Sequence, residues 1–292
     1  MEISNHCRQN CLYCGLRRGN RRLRRYRMDG AAIFDAAKAV KRVGFGTVVL
    51  QSGEDSGLSA EAVAELVERI KRDLGLAVTL SLGEWDRATY ALWRRSGADR
   101  YLLKLETMEE MQYARLRPGR RLSERLNALM HLRDLGYEVG SGLITGLPEE
   151  TEESLDRGLE GLASLELDML SVSPFIPHPE TPLKGHPPGD VTTNLYAMAL
   201  GRKLMPEAHI PVTSALGLQG DAVRLAALEV ADVLMLSLTP PEVRGDYAIY
   251  PGKNGDLEDP QERAARFRPI LEAAGFTVPS SAGGAWRLGA GS

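Results

Sequence analysis

Short apolar segments that read as buried strands alternate with longer amphipathic segments along the whole chain, and this alternation restricts the fold more than any other feature. The strand-like segments are Met1–Ser4, Thr47–Gln51, Ala77–Leu82, Arg100–Leu103, Val139–Ile144, Met169–Ser173, Ile210–Thr213 and Val233–Met235. Between them lie Gly30–Val43, Ser59–Leu74, Asp86–Ser96, Ser123–Leu135, Thr151–Leu165, Thr192–Met205 and Asp221–Val230. Their apolar residues recur at intervals of three and four, as in Val63, Leu66, Val67 and Ile70, which is the helical period. Strand–helix repetition predicts a parallel α/β protein. Eight rounds suit a closed (β/α)8 TIM barrel better than an open sheet, and 292 residues is close to the roughly 250 that such a barrel needs. No internal repeat or low-complexity linker interrupts the pattern. The expected division is a barrel over 1–256, then 257–292 as a C-terminal helix near Pro260–Ala274 with a flexible Gly/Ser-rich tail.

Bulk properties exclude several partners. Lys plus Arg number 36 and Asp plus Glu 39, so a net charge of -3 gives no reason to expect nucleic acid or an anionic membrane. No run of about 18 apolar residues is present to span a bilayer, and MEISNHCRQN lacks the apolar stretch of a signal peptide. Only three cysteines occur, all between Cys7 and Cys14, which agrees with a reducing cytoplasm rather than a disulfide-forming compartment.

Those cysteines, in CRQNCLYC, have the spacing C-x3-C-x2-C. Three thiolates on a four-iron cluster leave one iron without a protein ligand, and an open coordination position is what a catalytic metal site requires. A structural zinc held with His6 and a cluster of buried thiols are the alternatives. Zinc motifs usually come as two separated halves, and the chain has no second half. In the barrel reading the cysteines lie in the first strand–helix loop, on the face where active sites of this fold gather.

Other polar residues recur at successive strand ends. Ser52-Gly53-Glu54-Asp55 follows the second strand, where a glycine permits close backbone approach and Glu54 can accept from an ammonium; an ordinary turn is the plainer reading. Ser81-Leu82-Gly83-Glu84 follows the third strand, and Lys104-Leu105-Glu106-Thr107 the fourth. Glu106 can accept from ribose hydroxyls or pair with a cation. Gly142 to Glu149 forms a glycine-rich end to the fifth strand suited to a flat ring. Arg125 can bind a carboxylate as a two-toothed planar donor or stand as a solvated helix arginine. The arginine-rich run Arg17–Arg27 lacks the interleaved aromatics of a nucleic-acid patch; it covers the cysteine loop and faces acidic helices or an acidic partner. The five histidines show no paired metal spacing. Tyr247 and Tyr250, after the eighth strand, close the barrel mouth, by packing or over a cavity.

Taken together, NHCRQNCLYCGLRRGN, VVLQSGED, VTLSLGEW, GADRYLLK, FIPHPETPL and YPGK resemble one branch of the radical S-adenosylmethionine (SAM) superfamily. The branch is that of the iron-only (FeFe) hydrogenase maturase HydE, with biotin synthase and methylornithine synthase as relatives. The resemblance implies a radical SAM (β/α)8 barrel with a [4Fe-4S] cluster on Cys7, Cys11 and Cys14. It implies reductive cleavage of S-adenosylmethionine to a 5′-deoxyadenosyl radical. Tyr13 would lie against adenine, Glu106 and Arg125 would contact the cofactor together with Ser52, Gly53 and Glu54, and Thr79 and Ser81 would line the site. Met169, Thr213, Ser214, Tyr247 and Tyr250 match positions around a substrate cavity. The implied substrate is a cysteine-bound iron carbonyl–cyanide precursor, with an external electron donor and the other hydrogenase maturases as partners.

The sequence also departs from that branch. Leu105 stands where a His usually precedes the Glu, and Lys104 replaces a common Arg. No cysteine follows Asn254, so the second, optional cluster of some members is absent. The stretch Leu236–Val243 is divergent. The helical segment that the resemblance implies ahead of the first strand is missing, which predicts a truncated or misstarted chain with one exposed barrel edge. These departures admit a paralogue acting on a small organic molecule, a mutase or sulfur-inserting enzyme of methylornithine synthase or biotin synthase type.

Overall fold

A computed structural model describes residues 1–253, 259–273 and 275. Its elements run β1 (Glu2–Ser4), α1 (Gly30–Arg42), β2 (Thr47–Ser52), α2 (Ala60–Leu74), β3 (Ala77–Ser81), α3 (Arg87–Arg95), β4 (Arg100–Leu102), α4 (Glu110–Leu116) and α5 (Leu122–Asp134). They continue with β5 (Glu138–Thr145), α6 (Glu152–Ala163), β6 (Met169–Pro174), α7 (Val191–Leu204), β7 (Pro211–Val212), α8 (Ser214–Gly217), α9 (Asp221–Ala227), β8 (Val233–Leu234), α10 (Pro241–Arg244) and α11 (Pro260–Ala273). All eight expected strands form, each within two residues of its expected ends. The short helices α4, α8 and α10 were not expected. The expected tail lies outside the described residues.

The order is that of a (β/α)8 barrel. β1 to β6 form one parallel sheet in sequence order, and β7 pairs with β8. A bridge between Met169 and His209 joins β6 to β7, with Leu170 N donating to His209 O at 2.9 Å. The seam between β8 and β1 is made by side chains. Glu2 N donates to Thr239 Oγ1 at 2.7 Å, Ser237 Oγ donates to a Glu2 carboxylate oxygen at 2.8 Å, and Lys253 Nζ lies 3.3 Å from the other. The first strand is accordingly buried along its length instead of forming the exposed edge expected from the sequence.

The strand faces follow the pleat. Val48, Leu50, Val78, Leu80, Tyr101, Leu170 and Val172 are buried under the helices. The alternate residues share a register across the other face: Gln51 with Ser81, Thr79 with Arg100, Leu102 with Gly140, and Gly142 with Ser171. The N-terminal ends of the strands carry a repeated device. Asp99, Asp168 and Asp232, just ahead of β4, β6 and β8, each accept a backbone N–H from the preceding strand or its entry. The donors are Val78 at 2.7 Å, Val139 at 2.8 Å and Ile210 at 2.6 Å. Helix starts are capped by Asp29, Ser59, Asp86, Thr151 and Asp190, each accepting an N–H of the first turn.

Candidate active site

The cysteine loop leaves β1 and is tied down on three sides. Arg8 N donates to Glu54 O at 2.9 Å, Leu12 N to Leu116 O at 2.9 Å, and Gly15 N to Ile249 O at 2.8 Å. The loop is therefore held by the chain after β2, by the end of α4 and by the chain after β8. Two glycines make this packing feasible. A Cβ on Gly53 would stand 2.3 Å from His6 O and 2.7 Å from Cys7 Cβ. One on Gly15 would stand 2.1 Å from Ala248 O and 2.6 Å from the His178 ring. His178, from the FIPHPETPL stretch, is thus packed against the loop.

Cys11 is buried, and Cys7 and Cys14 are half-buried against Leu16, Tyr26 and Tyr247. Burial pushes the Cys7 thiol up to about 11. Cys14 is also raised well above its ordinary value by burial and then by the proximity of Cys11 and Cys7, so the three thiols lie within electrostatic reach of one another. Thiols that resist ionisation in this way lose their protons on metal binding. A four-iron cluster held by three thiolates keeps one iron open. The donor set fits it: three sulfurs, with no fourth cysteine in the chain.

Beside the loop lies a buried ionic network that the sequence reading did not assemble. Glu54 Oε1 accepts from Arg117 Nη2 at 3.1 Å and Arg125 Nη1 at 3.0 Å. Its Oε2 accepts from Gln9 Nε2 at 2.5 Å and Arg8 Nε at 3.5 Å. Glu84 Oε1 meets the same Arg125 Nη1 at 2.8 Å and Arg117 Nη1 at 3.5 Å, and Arg120 closes on its other oxygen. Burial alone would raise Glu84, but Arg125, then Arg117 and Arg120, overcome it and hold the carboxyl below its usual range. The Glu54 carboxylate is thus committed to four donors from this chain. Gly83 makes room for Glu54: a Cβ there would fall 2.0 Å from Glu54 Cγ, and its φ of 82° suits glycine. The Gly83–Trp85 turn is anchored from behind. Tyr101 Oη donates to Gly83 O at 2.9 Å, and Trp85 N donates to Tyr90 Oη at 3.0 Å. Trp93 stacks on Tyr101 at 6.3 Å. The clustering of arginines from Arg115 to Arg125 was the available signal for this network.

Arg125 has a second use. Its Nε donates to Lys104 O at 2.9 Å, and its Nη2 has no hydrogen-bond partner among the described residues. Glu106 sits past β4 with a left-handed φ of 69°. Such backbone costs about 1–3 kcal/mol and collects at ligand sites. It is held by Glu106 N to Gly142 O and Ile144 N to Glu106 O, both 2.9 Å. Glu106 Oε2 is buried and accepts no hydrogen bond; Lys104 Nζ stands 3.2 Å away as its ion-pair partner. Paired in charge with Lys104 but accepting no hydrogen bond, this oxygen fits a ligand hydroxyl. Tyr13 packs with Leu116, Leu147 and Phe175 in an apolar cluster.

The remaining expected residues spread around the barrel. Thr79 and Ser81 share the face of Gln51. Met169 opens β6 and packs across Gly140 toward Leu102. Thr213 caps α8 by accepting from Leu216 N. Ser214 accepts from Lys253 Nζ at 2.8 Å and hydrogen-bonds Tyr250. Tyr247 is buried beneath the cysteine loop with Leu16 and Tyr26. Two small clefts, beside α9 and α11 and beside α5, border neither the cysteines nor these residues. No helix among the described residues is long and apolar enough to cross a membrane.

The sequence pattern described as the Radical SAM superfamily matches residues 1–191, from β1 to the start of α7. The chain belongs to that superfamily. It is 45% identical over 254 residues to the [FeFe] hydrogenase maturase subunit HydE of Thermotoga maritima, covering 87% of this chain and 73% of that one. It is 32% identical over 228 residues to the 3-methylornithine synthase of Methanosarcina acetivorans, covering 77% and 65%. The crystal structure of methylornithine synthase (PylB) superposes with a TM-score of 0.79 at 26% identity, over 93% of this chain and 80% of that chain. The protein is therefore a radical SAM enzyme, with a [4Fe-4S] cluster and S-adenosylmethionine as cofactors and a barrel of the same type.

Proposed function

We propose that this enzyme acts in assembly of the FeFe-hydrogenase di-iron subsite, on a cysteine-bound iron carbonyl–cyanide precursor. The observation that carries the reading is the thiol trio on one loop, tied to the chain after β2, the end of α4 and the chain after β8, beside the Glu106 carboxylate and a partly free Arg125 guanidinium. The likeness to HydE over most of the chain supports the substrate class.

In this reading Cys7, Cys11 and Cys14 would hold the cluster, and the iron they leave open would be the place for S-adenosylmethionine. When bound, the pair supplies one-electron cleavage of the sulfonium C–S bond to a 5′-deoxyadenosyl radical. Arg125 Nη2 receives the cofactor carboxylate. The Ser52–Glu54 backbone meets its amino group, Glu106 Oε2 accepts from its ribose, and Tyr13 covers its adenine. Thr79 and Ser81 line the same face. Met169, Thr213, Ser214, Tyr247 and Tyr250 shape the substrate side. An external one-electron donor and the other hydrogenase maturases are the partners in this reading, and three cysteines within eight residues suit a reducing cytoplasm.

Lys104 favours a second reading. It stands where the maturase branch commonly has Arg, with Nζ 3.3 Å from Ser173 Oγ, and a changed cation beside Glu106 suits a different, organic substrate. One assay separates the two. Reduced, reconstituted protein is given S-adenosylmethionine with either the iron complex or a panel of amino acids. Consumption of the complex with adenosylation of its cysteine sulfur is expected. Release of 5′-deoxyadenosine with an amino acid alone would replace the maturase reading with the mutase one.

A further inference from the structure

Arg25 differs from its neighbours in what surrounds it. Arg22, Arg24 and Arg27 each meet a carboxylate, those of Glu180, Asp246 and Asp55. Among the described residues Arg25 meets none. Its Nη1 donates to the carbonyls of Asn5 at 2.5 Å and Leu16 at 2.9 Å, and its Nη2 to those of Arg17 at 2.8 Å and Asn20 at 3.2 Å. One acceptor precedes Cys7 and three follow Cys14, so a single planar group gathers both ends of the cysteine loop. Asn20 reinforces the closure, its Nδ2 donating to Gly15 O at 2.8 Å. The guanidinium is half-buried. Burial weakens its hold on the proton, and Cys7 and Cys14 are the groups close enough to strengthen it.

We propose that Arg25 is a positioning residue for the thiol trio: it clamps the two ends of the loop and keeps an unneutralised positive charge behind Cys7 and Cys14. The inference rests on the reading that these thiols carry the cluster. Reduction adds one electron, from a low-potential donor, to a group made anionic by its thiolates. A nearby cation without a counter-ion favours the added charge, because cluster potentials respond to net charge and hydrogen bonding. Only a planar fork of donors reaches two pairs of carbonyls at once. A lysine ammonium keeps the charge and loses the span.

Two substitutions separate clamp from charge. Arg25→Lys loses the clamp alone; Arg25→Met loses both, with Arg25→Gln as the neutral substitute if Arg25→Met does not fold. In the cluster-free protein, limited trypsin cleavage after Arg17 and Arg18 is expected to be several-fold faster in both variants, with unchanged far-ultraviolet dichroism. In the reconstituted protein, a redox titration followed by electron spin resonance is expected to show a roughly tenfold weaker preference for the reduced state in the neutral variant, about 59 mV for one electron. Arg25→Lys is expected to stay near the parent potential. Parent-like loop cleavage in both variants, or a parent-like potential in the neutral one, would overturn the proposal. A parent protein that assembles no four-iron cluster would overturn instead the assignment of the thiols, and the cleavage assay would still decide the clamp.

Discussion

The arc from β1 to β6 and the arc of β7 and β8 are built differently. In the first, every neighbouring pair of strands shares a backbone ladder. In the second, each strand has two residues, one bridge leads to β6, and side chains lead to β1. The groups proposed for cluster and cofactor all come from the laddered arc: the cysteines, Ser52–Glu54, Glu106 and Arg125. Most of those proposed for the substrate, Thr213, Ser214, Tyr247 and Tyr250, come from the looser one. Backbone pairing places atoms whatever the side chains are, whereas a side-chain seam changes with single substitutions. In the proposed reading the cluster and cofactor groups are carried by the laddered arc and most substrate groups by the looser one.

The largest test of this division is Cys11→Ala. It is expected to remove the cluster and all cleavage of S-adenosylmethionine while leaving the fold intact, since the loop keeps its ties to Glu54, Leu116 and Ile249. Iron and sulfide content and 5′-deoxyadenosine release read the outcome. Next comes Glu84→Gln. It leaves Arg117, Arg120 and Arg125 under-neutralised, and is expected to lower stability by about 3–5 kcal/mol in urea unfolding. Gly53→Ala is expected to cost about 1–3 kcal/mol by overpacking. It should also weaken binding of S-adenosylmethionine, read by calorimetry, because the new methyl meets His6 O and Cys7. Thr239→Val, at the side-chain seam, is expected to cost only about 1–2 kcal/mol. A loss at Glu84 no larger than that at Thr239 would mean that the buried ionic network holds the site no more firmly than one seam hydrogen bond.

The smallest effect is one of pH. Glu84 has a folded-state pKa below its ordinary value of 4.5. The unfolded chain then binds more protons in acid, so stability rises with pH in that range. The contribution is complete above about 4.5 and is lost as the pH falls through the lowered value. Denaturant midpoints measured between pH 3 and 6 are expected to fall less steeply in Glu84→Gln than in the parent.

What was legible in the sequence was local. The strand and helix periods were carried by consecutive residues, and the thiol trio lies within eight residues, from Cys7 to Cys14. The short helices α4, α8 and α10 have 7, 4 and 4 residues, too few for an amphipathic period to declare itself. The ionic network joins residues as far apart as Glu54 and Arg125, 71 positions, and the seam joins Glu2 to Thr239 across 237. No spacing rule reaches that far. Reading Glu54 beside an ordinary turn as an acceptor for an ammonium could not foresee that its oxygens meet Gln9 and three arginines. The left-handed backbone of Glu106 was equally unreadable, because Gly142 and Ile144 on the neighbouring strand impose it.

The central claim is an iron cluster with one position left for S-adenosylmethionine. Electron spin resonance of the anaerobically reconstituted, reduced protein, before and after addition of S-adenosylmethionine, tests it most directly. The account predicts four irons per chain and a signal that changes when the cofactor binds. Zinc in place of iron, or a cluster signal indifferent to S-adenosylmethionine, would contradict it.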